Sequence, residues 1–186
     1  MTVRLTLLCA AAAAGRDVRF GGGALDERAV GEARAVAPSL PTGSVRRTGP
    51  SPSCRGTVEA LGWRDAVVEP ELRDVDMGGW DGRSLDEVAA AEPAALATWL
   101  SDPRSAPHGG ESLADLCARV DAWLTQLPED TGRLTAVVEQ GVARAAVLCA
   151  LSAPTGSFWR IDVPPLATVQ LTGRAGRWNV RWAGPA

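Results

Sequence analysis

Short apolar runs alternate along this chain with stretches of helical spacing, and that alternation constrains the fold more than any other feature. Val3 to Cys9 (VRLTLLC) reads as a strand, Leu25 to Ala37 as a helix stopped by Pro38 and Pro41, and Ser44 to Arg47 as a short strand. Ser53 to Leu61 has helical spacing and ends at Gly62. Leu85 to Glu92 and Ala94 to Leu100 are two short helices parted by Pro93. The clearest helix runs from Leu113 to Leu127. Ser112 stands at its N-cap with Asp115 three residues on, and Leu113, Leu116, Val120, Trp123 and Leu127 form one apolar face. Leu134 to Val138 is a buried strand leading into a helix from Val142 to Leu151. Phe158 to Val163, Thr168 to Leu171 and Trp178 to Trp182 read as closing strands, the last two joined through Gly173 to Gly176. This order specifies an α/β protein, a three-layer α/β/α sandwich around a mostly parallel sheet. With 186 residues and no repeat or linker, one domain over residues 1–186 is expected, able to bury about 70% of its unfolded surface.

The opening segment, MTVRLTLLCAAAAAG, allows two readings. One arginine followed by an apolar run and small residues resembles a weak signal peptide. A buried first strand is preferred, because the alternation needs one there. No other segment approaches transmembrane length, so a cytoplasmic protein with no membrane partner is expected. The net charge of −3 leaves no electrostatic footprint for nucleic acid. Every basic residue is arginine, whose planar fork binds carboxylate or phosphate at two points where it converges on a pocket. Cys9, Cys54, Cys117 and Cys149 are too widely spaced for a zinc knuckle or a redox pair. Cys117 and Cys149 read as small buried hydrophobes. A single histidine argues against a structural metal, and no cofactor is expected. The seven tryptophans read as core packing, with Trp80 in a glycine-rich loop as the exception that could face a ligand.

Five blocks carry a resemblance. They are LTLLCAAA in the first strand, Ser51-Pro52-Ser53-Cys54-Arg55 at a helix start, and Leu72 to Gly82 (LRDVDMGGWDG). Gly110-Glu111-Ser112 with Arg119 downstream, and Val137 to Arg144 (VVEQGVAR), complete the set. In this order they resemble the histidine phosphatase superfamily, whose corresponding motifs are L-V-R-H-G, S-P-x-x-R, L-x-E-x-D-x-G-x-W-E-G, G-E-S and V-x-H-G-x-x-x-R. The resemblance implies the phosphoglycerate-mutase-like fold, and a homodimer is an expectation of the family only.

The departures fall on the chemistry. In such enzymes the first-strand histidine takes the phosphoryl group, its arginine neighbour clamps the oxygens, and a second histidine donates to them. Here those positions are Ala10, Cys9 and Glu139. Alanine has no lone pair for covalent catalysis. A carboxylate about 4 Å from a phosphate oxygen repels it by roughly 1 kcal/mol in water, and by more where partly buried. The resemblance makes Arg55 an anion clamp and places Asp74 at the general-acid position, one methylene short. Glu139, at the carboxyl end of a strand, is either a catalytic carboxylate or the partner of Arg55 or Arg144 in a dead pocket. Glu111 and Ser112 stand at the pocket edge, where Glu111 binds substrate or pairs with an arginine. His108, just before Gly109-Gly110, is an exposed loop residue or an acid–base group at the rim. Cys9 is an inert strand cysteine or a replacement nucleophile.

Two function classes follow. The first is a repurposed enzyme without a phosphoryl intermediate, acting on a small anionic metabolite through Arg55, Asp74 and Glu139. The second is a pseudophosphatase, a binding or regulatory module, which the alanine-rich loop from Ala10 to Ala14 favours. Residual phosphatase activity through activated water is a third and the least favoured, because phosphoryl transfer depends on positioning and positive charge, and this site has lost charge.

Overall fold

The central strand β1 (Val3–Cys9) is apolar throughout apart from Arg4 and Thr6 because helices cover both of its faces. The computed structural model describes residues 2–15 and 19–181. After β1 come α1 (Glu27–Val36), β2 (Val45–Thr48), α2 (Pro52–Ala60) and the two-residue β3 (Val67–Val68). Then follow α3 (Leu85–Ala91), α4 (Pro93–Ser101), α5 (Leu113–Gln126), β4 (Arg133–Val138), α6 (Gln140–Leu151), β5 (Thr168–Arg174) and β6 (Arg177–Arg181). The sheet order is β3-β2-β4-β1-β5-β6. The strands β3, β2, β4 and β1 run parallel, while β5 and β6 are antiparallel additions. The expected α/β sandwich with a mostly parallel sheet is the observed one.

On one face Leu5, Leu7, Leu134 and Ala136 meet Leu116, Val120, Leu124 and Val142 of α5 and α6. On the other, Leu8, Ala10 and Val137 meet Cys54, Val58 and Leu61 of α2 and its C-terminal end. At about 25 cal/mol per Å² of apolar surface, this two-sided burial is what secures β1 at the centre. A third cluster, Met77, Trp80, Val88, Leu96 and Trp99, lies under α3 and α4. Among the described residues no helix is long and apolar enough to cross a membrane.

One local expectation changes, one is met, and one falls partly outside the described residues. Phe158 to Val163 is not a strand: Thr155–Arg160 forms a 3-10 turn, and Phe158 packs into the core beside α5 and α6. Pro154, Pro164 and Pro165 flank it, and proline without a donor does not continue a ladder. The reciprocal capping box lies at Ser84 and Glu87 of α3. Ser112 caps α5 by accepting from Asp115 N at 3.1 Å, and its hydroxyl donates to Asp115 Oδ2 at 2.7 Å. The last strand is described over Arg177–Arg181, and the expected contribution of Trp182 lies outside the described residues.

Candidate functional site

Glu139 closes β4 and stands at the N-cap of α6, yet its side chain does not cap that helix. It reaches instead to the start of α2. There Ser51 is the N-cap, accepting from Cys54 N at 3.2 Å, with Pro52 supplying a fixed φ at the first helical position. The Ser51 hydroxyl donates to Glu139 Oε1 at 2.5 Å, the Ser53 hydroxyl donates to the same oxygen, and Cys54 Sγ lies 3.8 Å away. The carboxylate therefore sits at the positive end of α2, a place that would otherwise suit an anionic ligand. Gly22 (φ +70°) closes over this pair; a Cβ there would stand 3.5 Å from Ser53 Oγ and 3.8 Å from Glu139 Oε1.

Asp74 faces the same centre from the loop after β3. Its Oδ1 is buried and has no hydrogen-bond partner among the described residues. Gly141, in the first turn of α6, leaves it room: a Cβ there would come within 3.0 Å of Asp74 Oδ1. Burial, and then the charge of Glu139, push the Asp74 carboxyl up to about 7 from its ordinary 3.8. The loop is anchored from behind. Arg119 meets Glu111 in a two-point pair at 2.6 and 2.8 Å, and its Nη1 donates to the carbonyls of Glu71 at 2.5 Å and Arg73 at 3.1 Å. Arg73 also pairs with Glu111, at 3.2 Å. Glu111 is thus a half-buried ion-pair partner that positions the Asp74 loop.

Ala10 and Cys9 end β1 at this centre. Ala10 is buried beside Cys54 and Val137, and its N–H donates to Val138 O at 2.8 Å. The Cys9 thiol is buried and pushed up to about 12, first by burial and then by the charges of Glu139 and Asp74. A thiol held protonated in this way is a poor nucleophile near neutral pH, which speaks for the inert strand cysteine of the two readings above.

Several expected site residues lie elsewhere. Arg55 is exposed, donates through Nε to Pro50 O at 3.1 Å, and lines the groove between α1 and α2. The reason is helical geometry: at about 100° per residue, Arg55 is turned away from the face that Ser53 and Thr57 present to the sheet. No ion pair joins Arg55 or Arg144 to Glu139 among the described residues. Arg144 instead donates to Ile161 O at 2.8 Å and lies over the rings of Phe158 and Trp159. His108 is neither exposed nor at a rim. It is packed against Trp80 and Trp99, its Nδ1 accepts from Gly110 N at 3.1 Å, and burial lowers its pKa. Trp80 is core, with Nε1 donating to Glu92 at 3.1 Å. Ser112 is a buried helix cap. Conversely, sequence reasoning passed over Ser51, Ser53 and Gly22. The signal was there in Ser53 and Thr57, polar residues four apart in a helix whose same face must meet the sheet. Among the described residues no cluster of His, Cys, Asp or Glu could hold a metal ion.

A family model described as the histidine phosphatase superfamily (branch 1) matches residues 12–184, beginning just past Cys9 and Ala10. Among curated proteins, the glucosyl-3-phosphoglycerate phosphatase of Mycobacterium tuberculosis is 29% identical over 145 residues, covering 68% of this chain and 65% of that protein. The protein of the same name from Mycolicibacterium vanbaalenii is 42% identical over 66 residues, only 29% of its length. Among solved structures, mycobacterial glucosyl-3-phosphoglycerate phosphatase superposes with a TM-score of 0.79 at 23% identity, covering 97% of both chains. Bacillus stearothermophilus YhfR gives 0.83 at 19% identity, covering 96% of this chain and 95% of that one. At such identities the two structures speak for the fold alone.

Proposed function

The chain belongs to the histidine phosphatase superfamily, and we propose that it has left that superfamily's phosphohistidine chemistry and works as an acid–base enzyme on a small metabolite. The observation that carries this reading is Asp74: a buried, unpartnered carboxyl oxygen beside a second carboxylate, titrating near 7. Buried polar atoms are nearly always paired, and perturbed carboxyls cluster at working sites. Near neutral pH such a group both gives and takes a proton, as general acid–base catalysis requires. Glu139, fixed by two hydroxyls, orients the ligand and keeps the Asp74 proton bound. Alanine at the nucleophile position leaves no group there to accept a phosphoryl unit. The metabolite's expected charge is revised: with Arg55 turned outward and Arg144 held by Ile161, the centre favours a neutral hydrogen-bonding group over an anion.

A second reading, the pseudophosphatase, is favoured by one observation: Glu139 already saturates the hydroxyls at the head of α2, with Gly22 lying over it. One experiment separates the two. A metabolite extract is profiled by mass spectrometry after incubation with the protein and with Asp74→Asn. A species converted by the protein and spared by the variant supports the enzyme. No conversion supports the pseudophosphatase, and loss of phosphate from a species would return the chain to the phosphatases.

A further inference from the structure

At the end of the sheet opposite Glu139, by the amino ends of β1 and β4, arginines gather on one face. Side chains alternate along a strand, so Arg4 and Thr6 share the face of Leu8, and Arg133 and Thr135 that of Val137. Only the carboxyl half of this face is sealed by α2. Beyond it lies a cavity of about 190 Å³ lined by Arg4, Arg133, Arg181, Thr6, Gln170 and Thr172, among others, and, among the described residues, by no acidic one. Arg4 stands in register with Arg133 on β4 and with Thr172 on β5, while Gln170 pairs with Thr6 and with Arg181 on β6. Neighbouring strands lie about 4.8 Å apart, so the three arginines span about 14 Å of one concave surface.

Two like charges in register across adjacent strands oppose folding, and neither Arg4, Arg133 nor Arg181 makes an ion pair among the described residues. Elsewhere in the same sheet the pattern differs: Arg46 is paired with Asp65 at 2.8 Å and Arg47 with Glu69 at 2.7 Å. We propose that this cavity is a binding site for a compact anion carrying at least two negative charges, held by guanidinium forks and by the Thr6, Thr172 and Gln170 side chains. Arginine matches phosphate and carboxylate oxygens at two points each, and the threonine hydroxyls and glutamine amide add neutral donors. The site lies at the far end of the strands from Glu139 and is independent of the reaction proposed there.

The test is calorimetric titration of the protein at low salt with pyrophosphate and, separately, with citrate, the two arms distinguishing phosphate from carboxylate ligands. Saturable one-to-one binding of at least one of them is expected. Arg133→Gln and Arg181→Gln should each weaken it about tenfold, the loss of one charge-assisted contact. Arg55→Gln, which removes the same charge from the α1–α2 groove, should leave the affinity within about twofold. The unliganded Arg133→Gln protein should melt no lower than the parent, since a like-charge neighbour has gone. Absence of saturable binding, or an equal loss in Arg55→Gln, overturns the proposal. Arg181 lies at the end of an edge strand, so its variant reports even if Arg133→Gln does not fold.

Discussion

The Ser51 hydroxyl and the Glu139 carboxylate, 88 residues apart in sequence, meet at 2.5 Å where the amino end of α2 faces the carboxyl end of β4. Glu139 thereby takes, as part of the chain itself, the position that a helix amino terminus offers to a bound anion. The hydroxyls and the helix end are satisfied from within, and a phosphate approaching them meets a negative charge. That contact is the structural basis for proposing a site other than a phosphatase centre.

Ser53 and Arg55 should separate cleanly in stability. Ser53→Ala removes a buried hydroxyl that donates to a carboxylate and should cost about 1–3 kcal/mol. Arg55→Ala, at an exposed position, should stay within about 0.5 kcal/mol of the parent. Urea unfolding of both variants checks the assignment of the inward face of α2.

Asp74 makes stability depend on pH in a defined direction. Its folded value of about 7 lies above its ordinary 3.8, so the folded protein binds this proton more tightly than the unfolded chain. The contribution is complete below the unfolded value and fades as pH rises toward the folded one. Asp74→Asn lacks this decline. Relative to the parent it should gain stability across that window, by on the order of 4 kcal/mol at most, about three units at roughly 1.4 kcal/mol each. Thermal unfolding of both proteins from pH 4 to pH 8 reads the difference directly.

Glu139→Gln should lower the titration midpoint of Asp74 without returning it to 3.8, because burial is the larger cause and remains. Carbon-13 NMR of labelled aspartate carboxyls follows it. A midpoint that does not move would show that the two carboxylates are not electrostatically coupled.

Arg119→Ala should cost about 1–3 kcal/mol, since it leaves Glu111 only its more exposed partner Arg73 and frees the carbonyls of Glu71 and Arg73. Denaturant unfolding gives the cost. The Asp74 midpoint in the same variant tells whether the loop has shifted.

The layers of the fold were legible because burial leaves periodic traces. β1 and β4 are covered on two faces and read as apolar runs, and α5 shows its apolar stripe at helical spacing. Phe158 deceived for the same reason: a buried aromatic in a short apolar run looks like a strand until the flanking prolines are weighed. At the candidate site, motif order singled out Asp74 and Glu139, and the fold brings both to one centre, Glu139 at the end of β4 and Asp74 on the loop after β3. Arg55 was misplaced because spacing along a sequence does not say which side of a helix faces the sheet, and only the packing of Ser53 and Thr57 does. His108 and Trp80 were hidden by glycine-rich surroundings that suggest an exposed loop, whereas aromatic packing with Trp99 and Phe20 buries them.

Soaking crystals of the protein in orthovanadate, and examining the carboxyl ends of β1 and β4, puts the account to its most direct trial. Glu139 should keep its bonds to Ser51 and Ser53, with no vanadate between Ala10 and the head of α2. A vanadate bound there, with the Glu139 side chain displaced from those hydroxyls, would mean that the site still receives phosphoryl groups.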